Sequence, residues 1–185
     1  MRHPLLVAKR RGWRKALRIV VGVVLMTGFV LGSTSLVLRY AGGWGVPYFS
    51  FTSEGGSPCT NTFTGYVCEP PTLADVEFFG ELDLPDDTSV ISGRYRSTHD
   101  YQLDARLVVP APSAAAAMAT LTENFGRCLR NHTAPIDTAR LKKVCVMAND
   151  DQIVESGEPD SRFFTVATGV GRDGTRTIGL AIKSR

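Results

Sequence analysis

The sequence predicts an α+β protein, in which an N-terminal transmembrane helix precedes a small antiparallel sheet with helices packed on one face, stabilised by disulfides. Three observations predict this fold: residues 19–38 form an uncharged apolar run, four cysteines follow it, and helical periodicity then alternates with pairs of period-two segments. The predicted divisions are a basic cytoplasmic tail (1–18), a transmembrane helix (19–38), a Gly/Pro-rich stalk with the first cysteine pair (39–70) and an extracytoplasmic α+β domain (71–185).

The membrane segment is predicted from its length and its flanking charges. The twenty residues from Ile19 to Leu38 carry no charge, and as a helix they span the ~30 Å hydrocarbon core of a bilayer. Seven Lys or Arg side chains precede this run and only Arg39 closely follows it, which predicts a cytoplasmic N-terminus. A cleaved signal peptide is the alternative, although its apolar core usually has ~7–15 residues. Both alternatives export the C-terminal domain.

The charges are divided unevenly along the chain. All 18 acidic residues lie beyond Tyr40, whereas eight of the 21 basic residues precede it. The remainder therefore has 21 − 8 = 13 basic and 18 acidic side chains, a net charge of −5. Because the basic residues flank an apolar segment, the sequence predicts the lipid bilayer as a partner and no nucleic acid. Another membrane or envelope protein is a further expected partner.

A GxxxG pair lies inside the apolar run. Gly28 and Gly32 would lie on one face of the helix and let a second helix approach closely. This pattern suggests a weak homodimer, although such pairs are also frequent by chance in apolar segments.

Four cysteines, Cys59, Cys68, Cys128 and Cys145, are expected to form two disulfides in an exported chain. The pairs Cys59–Cys68 and Cys128–Cys145 are favoured because each closes a local loop, while the other two connectivities stay open. Loops of this size stabilise a fold by ~3 kcal/mol each in the chain-entropy description. The sequence has no CxxC motif, so it supports neither a zinc ribbon nor a thioredoxin-like site.

The first elements of the domain follow from capping and alternation. Thr72 is the expected N-cap of a helix in LADVEFFGEL, and Pro85 lies beyond its end. Residues Thr88 to Ser97 and Tyr101 to Val109 are predicted to form a hairpin, because apolar and polar side chains alternate in the second of them.

A second helix and three further strands complete the predicted domain. Ser113 is the expected N-cap of the helix Ala114 to Phe125, and Gly126 is its expected stop. The strands are Leu141 to Ala148, Arg162 to Val170 and Thr175 to Lys183. The last two form a hairpin around Asp173-Gly174, so local hairpins predict an antiparallel sheet.

A weak ligand patch is predicted on the first hairpin. Arg94 and Arg96 lie two residues apart on one strand face, and His99 and Asp100 lie at the tip. Such a group suits a small anion, but a solvated face with cross-strand charge pairs is the more common arrangement. The facing strand is expected to place two further charged residues opposite, Asp104 and Arg106.

Other motifs point to no chemistry. Gly169 to Gly174 matches GxGxxG, but a strand follows instead of a helix, so the motif is interpreted as a hairpin turn. The acidic segment from Asn149 to Asp160 is either a surface loop or, less commonly, a calcium site without EF-hand spacing. No catalytic residues, metal site or cofactor are predicted.

The run LPDDTSVISGRYRSTHDYQLDARLVVP (Leu84 to Pro110), with the apolar span and the small oxidised domain, resembles single-pass membrane proteins of high-GC Gram-positive (actinobacterial) bacteria that have no assigned activity. The use of 16 Arg against 5 Lys is typical of such a genome. The resemblance implies a location at the cell membrane and carries no site residues.

The expected function is a non-enzymatic binding or interaction module held at the cell envelope, because a tether is present and no catalytic set was found. The alternatives are a hydrolase acting on an envelope polymer and a structural spacer. A polar-lined cleft on the open face of the sheet, holding two facing carboxylates, would favour the hydrolase.

Overall fold

A computed structural model describes residues 5–130, 132–149 and 162–184, with side chains from Trp13 onward. The chain divides into two compact units, residues 1–44 and 45–185. The first contains the helix α1 (Leu5–Tyr40), and the second contains every strand that the structure describes.

Helix α1 contains the predicted apolar segment. Its stretch Trp13–Tyr40 has 28 residues, of which the most apolar 18 have a mean hydropathy of 2.1, so it is long and apolar enough to cross a membrane. A membrane anchor and a signal sequence both have this character. Around Gly28 and Gly32 an added Cβ would meet nothing within 4 Å, so this face of the helix is open in the single chain. The homodimer through these glycines stays a prediction.

The second unit is built on one antiparallel sheet with the strand order β1-β2-β3-β4-β5-β8-β7-β6 in the described residues. The strands are β1 (Ser50–Thr52), β2 (Pro58–Asn61), β3 (Tyr66–Cys68), β4 (Ser89–Ser97), β5 (Tyr101–Val109), β6 (Lys142–Ala148), β7 (Arg162–Val170) and β8 (Arg176–Ser184). From β4 onward these strands agree with the sequence prediction to within one residue at their ends.

Two helices cover one face of this sheet, as predicted. Helix α2 (Leu73–Gly80) contributes Val76, and α3 (Ala114–Phe125) contributes Leu121, to a core that includes Leu107 of β5. All three side chains are fully buried, which stabilises each by about 1.5–3 kcal/mol relative to exposure. On β5 the buried residues alternate with exposed or partly exposed ones, so this face is the core and the other is the open face.

The helix caps agree with prediction at one site and differ at the other. The Thr72 hydroxyl accepts a hydrogen bond from the Asp75 N–H at 3.3 Å, as expected for the N-cap of α2. Ser113 occupies the predicted N-cap position of α3, but its side chain makes no capping hydrogen bond. Its hydroxyl donates to the Asp87 carboxylate at 2.7 Å instead, because a 3-10 turn at Ala111–Ser113 leads directly into the helix.

The segment 39–70 differs from its prediction as an irregular stalk. It supplies β1, β2 and β3, which extend the sheet beyond β4, and residues 45–70 belong to the compact second unit. These strands have only three or four residues, too few for alternation to be visible in the sequence. The sheet pairing and a disulfide hold them in place.

Both disulfides have the favoured pairing. Cys59 and Cys68 lie directly opposite each other on β2 and β3, and Cys128 joins the segment after α3 to Cys145 in β6. No free cysteine is present in the described residues. Two disulfides indicate an oxidising compartment, in agreement with export.

The GxGxxG segment is the turn of the β7–β8 hairpin, where the Gly171 N–H donates to the Thr175 carbonyl at 2.8 Å. This confirms its interpretation as a turn. The acidic residues 150–160 of the possible calcium loop lie outside the described residues.

The segment 132–141 crosses part of the open face. An added Cβ at Gly179 of β8 would overlap Ile136, and one at Gly169 of β7 would lie 2.8 Å from the Leu141 Cβ. The segment therefore rests on small residues of β7 and β8 and leaves β4 and β5 uncovered.

Candidate functional site

A groove lies on the open face of the sheet, at the border between the part that residues 132–141 cover and the part that they leave exposed. It encloses about 430 Å³ beside β4 and β5, and we call it the polar groove. Its side chains from the sheet and its rim are Glu69, Ser92, Arg94, Asp104, Arg106, Pro135, Ile136 and Asp137. It is thus formed by strands on one side and by the crossing segment on the other.

The floor of the polar groove carries charges in a fixed register. Arg94 of β4 lies opposite Asp104 of β5, and Ser92 lies opposite Arg106. Directly opposed residues on an antiparallel pair have Cβ atoms about 4.5–5.5 Å apart, so these side chains form one continuous surface. Arg94 also forms an ion pair with Glu69, whose Oε2 lies 3.4 Å from the arginine Nε.

These polar groups differ in how far they are already engaged. The Asp104 carboxylate accepts a hydrogen bond from the Gln102 amide at 2.6 Å. The ion pair of Arg94 is half-exposed, and such pairs contribute only ~0–1 kcal/mol. The Arg106 side chain is exposed and has neither a hydrogen bond nor an ion pair within the part of the chain that the structure describes. Its guanidinium is therefore available to a ligand.

The wall of the groove is held by local bonds of the crossing segment. The Asp137 carboxylate accepts a hydrogen bond from the Ala139 N–H at 2.9 Å, which closes an Asx turn. Ile136 is seated against Gly179, so this wall is fixed to the sheet.

The chemistry of the polar groove is that of recognition by charge and hydrogen bonds. Three carboxylates and two guanidiniums line it: Glu69, Asp104 and Asp137 with Arg94 and Arg106. Guanidinium groups bind carboxylates and phosphates through two parallel hydrogen bonds, and they are always charged in proteins. The alternating signs suit a polar ligand that carries both acceptors and donors.

The structure separates the residues of the predicted ligand patch. Arg94 and Arg96 lie on the open face two residues apart, as expected, and Asp104 lies opposite Arg94. Arg94 lines the polar groove, whereas Arg96, His99 and Asp100 do not. The latter two are exposed in the β4–β5 turn, where the Asp100 carbonyl accepts from the Thr98 N–H at 2.9 Å.

Two residues of the groove carried no usable signal in the sequence. Glu69 lies in the segment that was predicted as stalk, and Asp137 lies in irregular sequence after α3. Both reach the groove through long-range packing, which periodicity does not report. Ser92 was not among the predicted patch residues either, although its position two residues before Arg94 on β4 would have placed it on the same face.

A second cavity, the aromatic cleft, lies between α2 and the β1–β2 hairpin and encloses about 470 Å³. Its ring-bearing residues are Phe51, Tyr66, Phe78 and Phe79. The Phe79 ring stacks on Tyr95 with 3.6 Å between ring centroids, so the base of the cleft is continuous with the core. Burial, together with the neighbouring Tyr66, raises the pKa of the Tyr95 hydroxyl well above its ordinary value.

A buried carboxylate organises the polar end of the aromatic cleft. Asp75 is 3% exposed, and its Oδ2 accepts from the Ser53 hydroxyl, from the Ser57 N–H at 3.2 Å and from the Thr72 hydroxyl at 3.4 Å. These bonds connect the β1–β2 turn to the first turn of α2. Because its Oδ2 accepts these bonds within the fold, Asp75 acts as a structural connector.

No protein-family model, curated protein or solved structure matches this chain. Its function is therefore argued from the geometry of the polar groove and from the character of α1.

Proposed function

We propose that residues 45–185 form a non-enzymatic binding module, which α1 holds at the outer face of the cell membrane. Its ligand is a polar envelope component that carries carboxylate or phosphate groups together with hydrogen-bond donors, and it binds in the polar groove. The observation that carries this proposal is the pair of exposed guanidiniums, Arg94 and Arg106, on neighbouring strands of one sheet.

The position of these arginines favours binding. The pairing of the strands fixes the backbone beneath these two side chains. Less backbone freedom is therefore lost when a ligand binds here than when one binds to a flexible loop. Arg106 has the small neighbour Ser92 on β4, whereas Ile136 fills the space above Gly179 on β8. Arg106 therefore has room on the Ser92 side to turn toward a ligand.

The compartment is supported by two independent features. Helix α1 is uncharged over residues 19–38, with basic residues on its N-terminal side, and both disulfides join cysteines of the second unit. An exported, anchored module meets envelope polymers and membrane proteins, in which carboxylates and phosphates are abundant.

Site-specific photo-crosslinking in intact cells tests this proposal. A photoreactive amino acid replaces Ser92 in the groove or, as the matched control, the exposed Ala116 on α3. We expect a discrete adduct from position 92 only, and loss of most of it when Arg106→Gln is added. Equal labelling from both positions, or labelling insensitive to Arg106→Gln, would contradict the proposal.

Affinity for a defined probe gives the second measurement. The full chain in detergent micelles is titrated with a muramidase digest of peptidoglycan, which is rich in carboxylates, and separately with pyrophosphate. One lost charge-assisted hydrogen-bond pair is worth about 1.5–3 kcal/mol, so Arg106→Gln is expected to weaken binding about tenfold or more. Arg127→Gln, at an exposed position outside the groove, serves as the control.

The same groove gives the hydrolase alternative a specific basis. Asp104 projects from the sheet and Asp137 from the crossing segment, so carboxylates line both sides. A hydrolase of this kind would release soluble fragments from peptidoglycan, and Asp104→Asn would abolish the release. If binding is found without release, the module is a binder. If neither is found, the structural spacer is the remaining alternative.

A further inference from the structure

Two exposed aromatic rings form a pair at one end of the sheet. Tyr48 is 73% exposed and Phe63 is 77% exposed, and their rings meet edge to face with 5.2 Å between centroids. The two rings are exposed and contact each other, so together they form a local apolar surface. Such surfaces indicate contact with a partner or a membrane.

The backbone holds this pair rigidly. The Tyr48 N–H donates to the Asn61 carbonyl at 2.8 Å, and the Thr62 N–H donates to the Gly65 carbonyl at 2.7 Å, which closes the turn that presents Phe63. Tyr48 has a φ of 67°, in the left-handed region that glycine or asparagine usually occupies. A bulky ring is therefore held at a strained backbone position, which points to a use for that ring.

The pair lies at the end of the sheet where the chain enters the domain. The second unit begins at Gly45, three residues before Tyr48. The β2–β3 turn that carries Phe63 lies next to the β4–β5 turn, since an added Cβ at Gly65 would contact the Thr98 Cα at 3.1 Å. The β7–β8 turn, Gly171 to Gly174, lies at the opposite end, because Val109 pairs with Arg176 and Gln102 pairs with Lys183.

Chain length limits how far this end can lie from the bilayer. Tyr48 follows Tyr40, the last residue of α1, by eight residues, and a fully extended chain of that length spans at most ~29 Å. Tyr40 and Trp44, at the end of α1, stack with 6.0 Å between centroids. Aromatic side chains of this kind concentrate in the interfacial layer of membranes.

We infer that the Tyr48–Phe63 pair inserts into the interfacial layer of the membrane that α1 spans, and that this end of the sheet rests on the lipid surface. The inference depends on the proposed membrane anchoring and adds an orientation to it. Tyrosine suits this layer because its ring is apolar and its hydroxyl meets water. With that end on the lipid, the β7–β8 turn points away from the bilayer.

Photoreactive lipids in nanodiscs test the inference on the full chain. The discs contain phosphatidylethanolamine and phosphatidylglycerol, with a diazirine in the upper acyl chain of a tracer lipid, and adducts are mapped by mass spectrometry. We expect adducts in residues 19–38 and in residues 62–65, and at least fivefold fewer in 171–174. Tyr48→Ser combined with Phe63→Ser should lower labelling of 62–65 at least fivefold.

Matched variants separate insertion from folding. Phe78→Ser removes a ring of similar exposure, 74%, on α2 and should leave labelling of 62–65 unchanged. Phe63→Trp should retain the labelling, because tryptophan also suits the interface. Labelling of 62–65 no greater than that of 171–174, with 19–38 still labelled, would overturn the inference and leave the anchor intact. Absence of labelling in 19–38 would overturn the anchor and this inference together.

Discussion

At the scale of single residues, the boundary of the polar groove is set by small side chains. Gly169 and Gly179 lie on the open face of β7 and β8, where the segment 132–141 crosses, whereas Asp104 and Arg106 occupy β5 beside them. A chain segment can lie flat on a sheet only where side chains are short. The glycines therefore decide which part of the face is covered and which part is left for a ligand.

Gly179→Ala is expected to lift this segment. Its new Cβ would overlap Ile136, and overpacking of this kind costs about 1–3 kcal/mol of the free energy of unfolding. Urea titration in mild detergent, followed by near-ultraviolet circular dichroism, measures the loss. The double variant Gly179→Ala with Ile136→Ala should recover part of it, and strictly additive losses would contradict the contact.

The raised pKa of Glu77 predicts the direction in which the stability of the fold changes with pH. Burial, and then the nearby Asp83 and Asp86, raise its pKa above the ordinary 4.5, against the opposing effect of a hydrogen bond from the Leu84 N–H. Above pH 4.5 the folded protein therefore keeps a proton that the unfolded chain has lost. The stability that this group contributes is fully present below its unfolded pKa and is lost as pH rises through its folded pKa.

Glu77→Gln tests that sign, because glutamine retains an acceptor for the Leu84 N–H, 2.9 Å from the Glu77 oxygen, and does not titrate. We expect the variant to be at least as stable as the natural protein at pH 7, and its advantage to disappear as pH falls to about 4. Urea midpoints across this range measure it. Glu123→Gln, exposed on α3, should show no such trend, and a variant less stable at pH 7 would refute the argument.

At the scale of elements, strong local patterns predicted the structure and short ones did not. Apolar residues stand at every second position in β5 (Leu103 to Val109) and in β8 (Ile178 to Ile182), and α3 ends at a glycine, so their positions are recognisable in the sequence. Strands β1 to β3 have three or four residues each and depend on pairing with one another and, through β3, with β4. Their glycines and prolines indicated an irregular stalk, and tertiary pairing prevailed over that local preference.

The residues of the polar groove also divide into those on long, periodic strands, which the sequence could place, and those in irregular segments, which it could not. Arg94 and Arg106 could be placed on one face because they lie on long strands with a clear period. Glu69 and Asp137 could not be placed, because each lies in irregular sequence and reaches the groove only after the whole sheet has formed. Sequence reasoning thus found the floor of the groove and missed its rim.

The disulfide between Cys128 and Cys145 connects the end of α3 to the edge strand β6. It closes a loop with a sequence separation of 17, for which the chain-entropy description gives about 3 kcal/mol. The double variant Cys128→Ser and Cys145→Ser should lower the free energy of unfolding by that amount in urea titrations. Cys59→Ser with Cys68→Ser, whose separation is nine, should cost less, and the reverse order would contradict a loop-closure origin.

At the scale of the whole molecule, the character of α1 bears on where the rest of the chain is delivered. The apolar run of α1 prefers lipid, and the basic residues before it favour retention of the N-terminus in the cytoplasm. The two disulfides are typical of an oxidising compartment, which the space outside the membrane would provide. The hydrophobic segment, the flanking charge and the cysteines therefore favour the same topology from independent physical causes.

Reporter fusions test this topology and separate an anchor from a cleaved signal sequence. Alkaline phosphatase fused after Arg185 should be active, and green fluorescent protein at the same position should be dark. An epitope placed before Arg2 should stay on the full-length membrane-bound chain, since an anchor is retained whereas a signal sequence is removed. Replacing Arg10, Arg11, Arg14 and Lys15 by Gln should reduce phosphatase activity, because the charge asymmetry that orients α1 is weakened. A fluorescent C-terminal fusion, or cysteines that react with alkylating reagents in untreated cells, would contradict export of the domain.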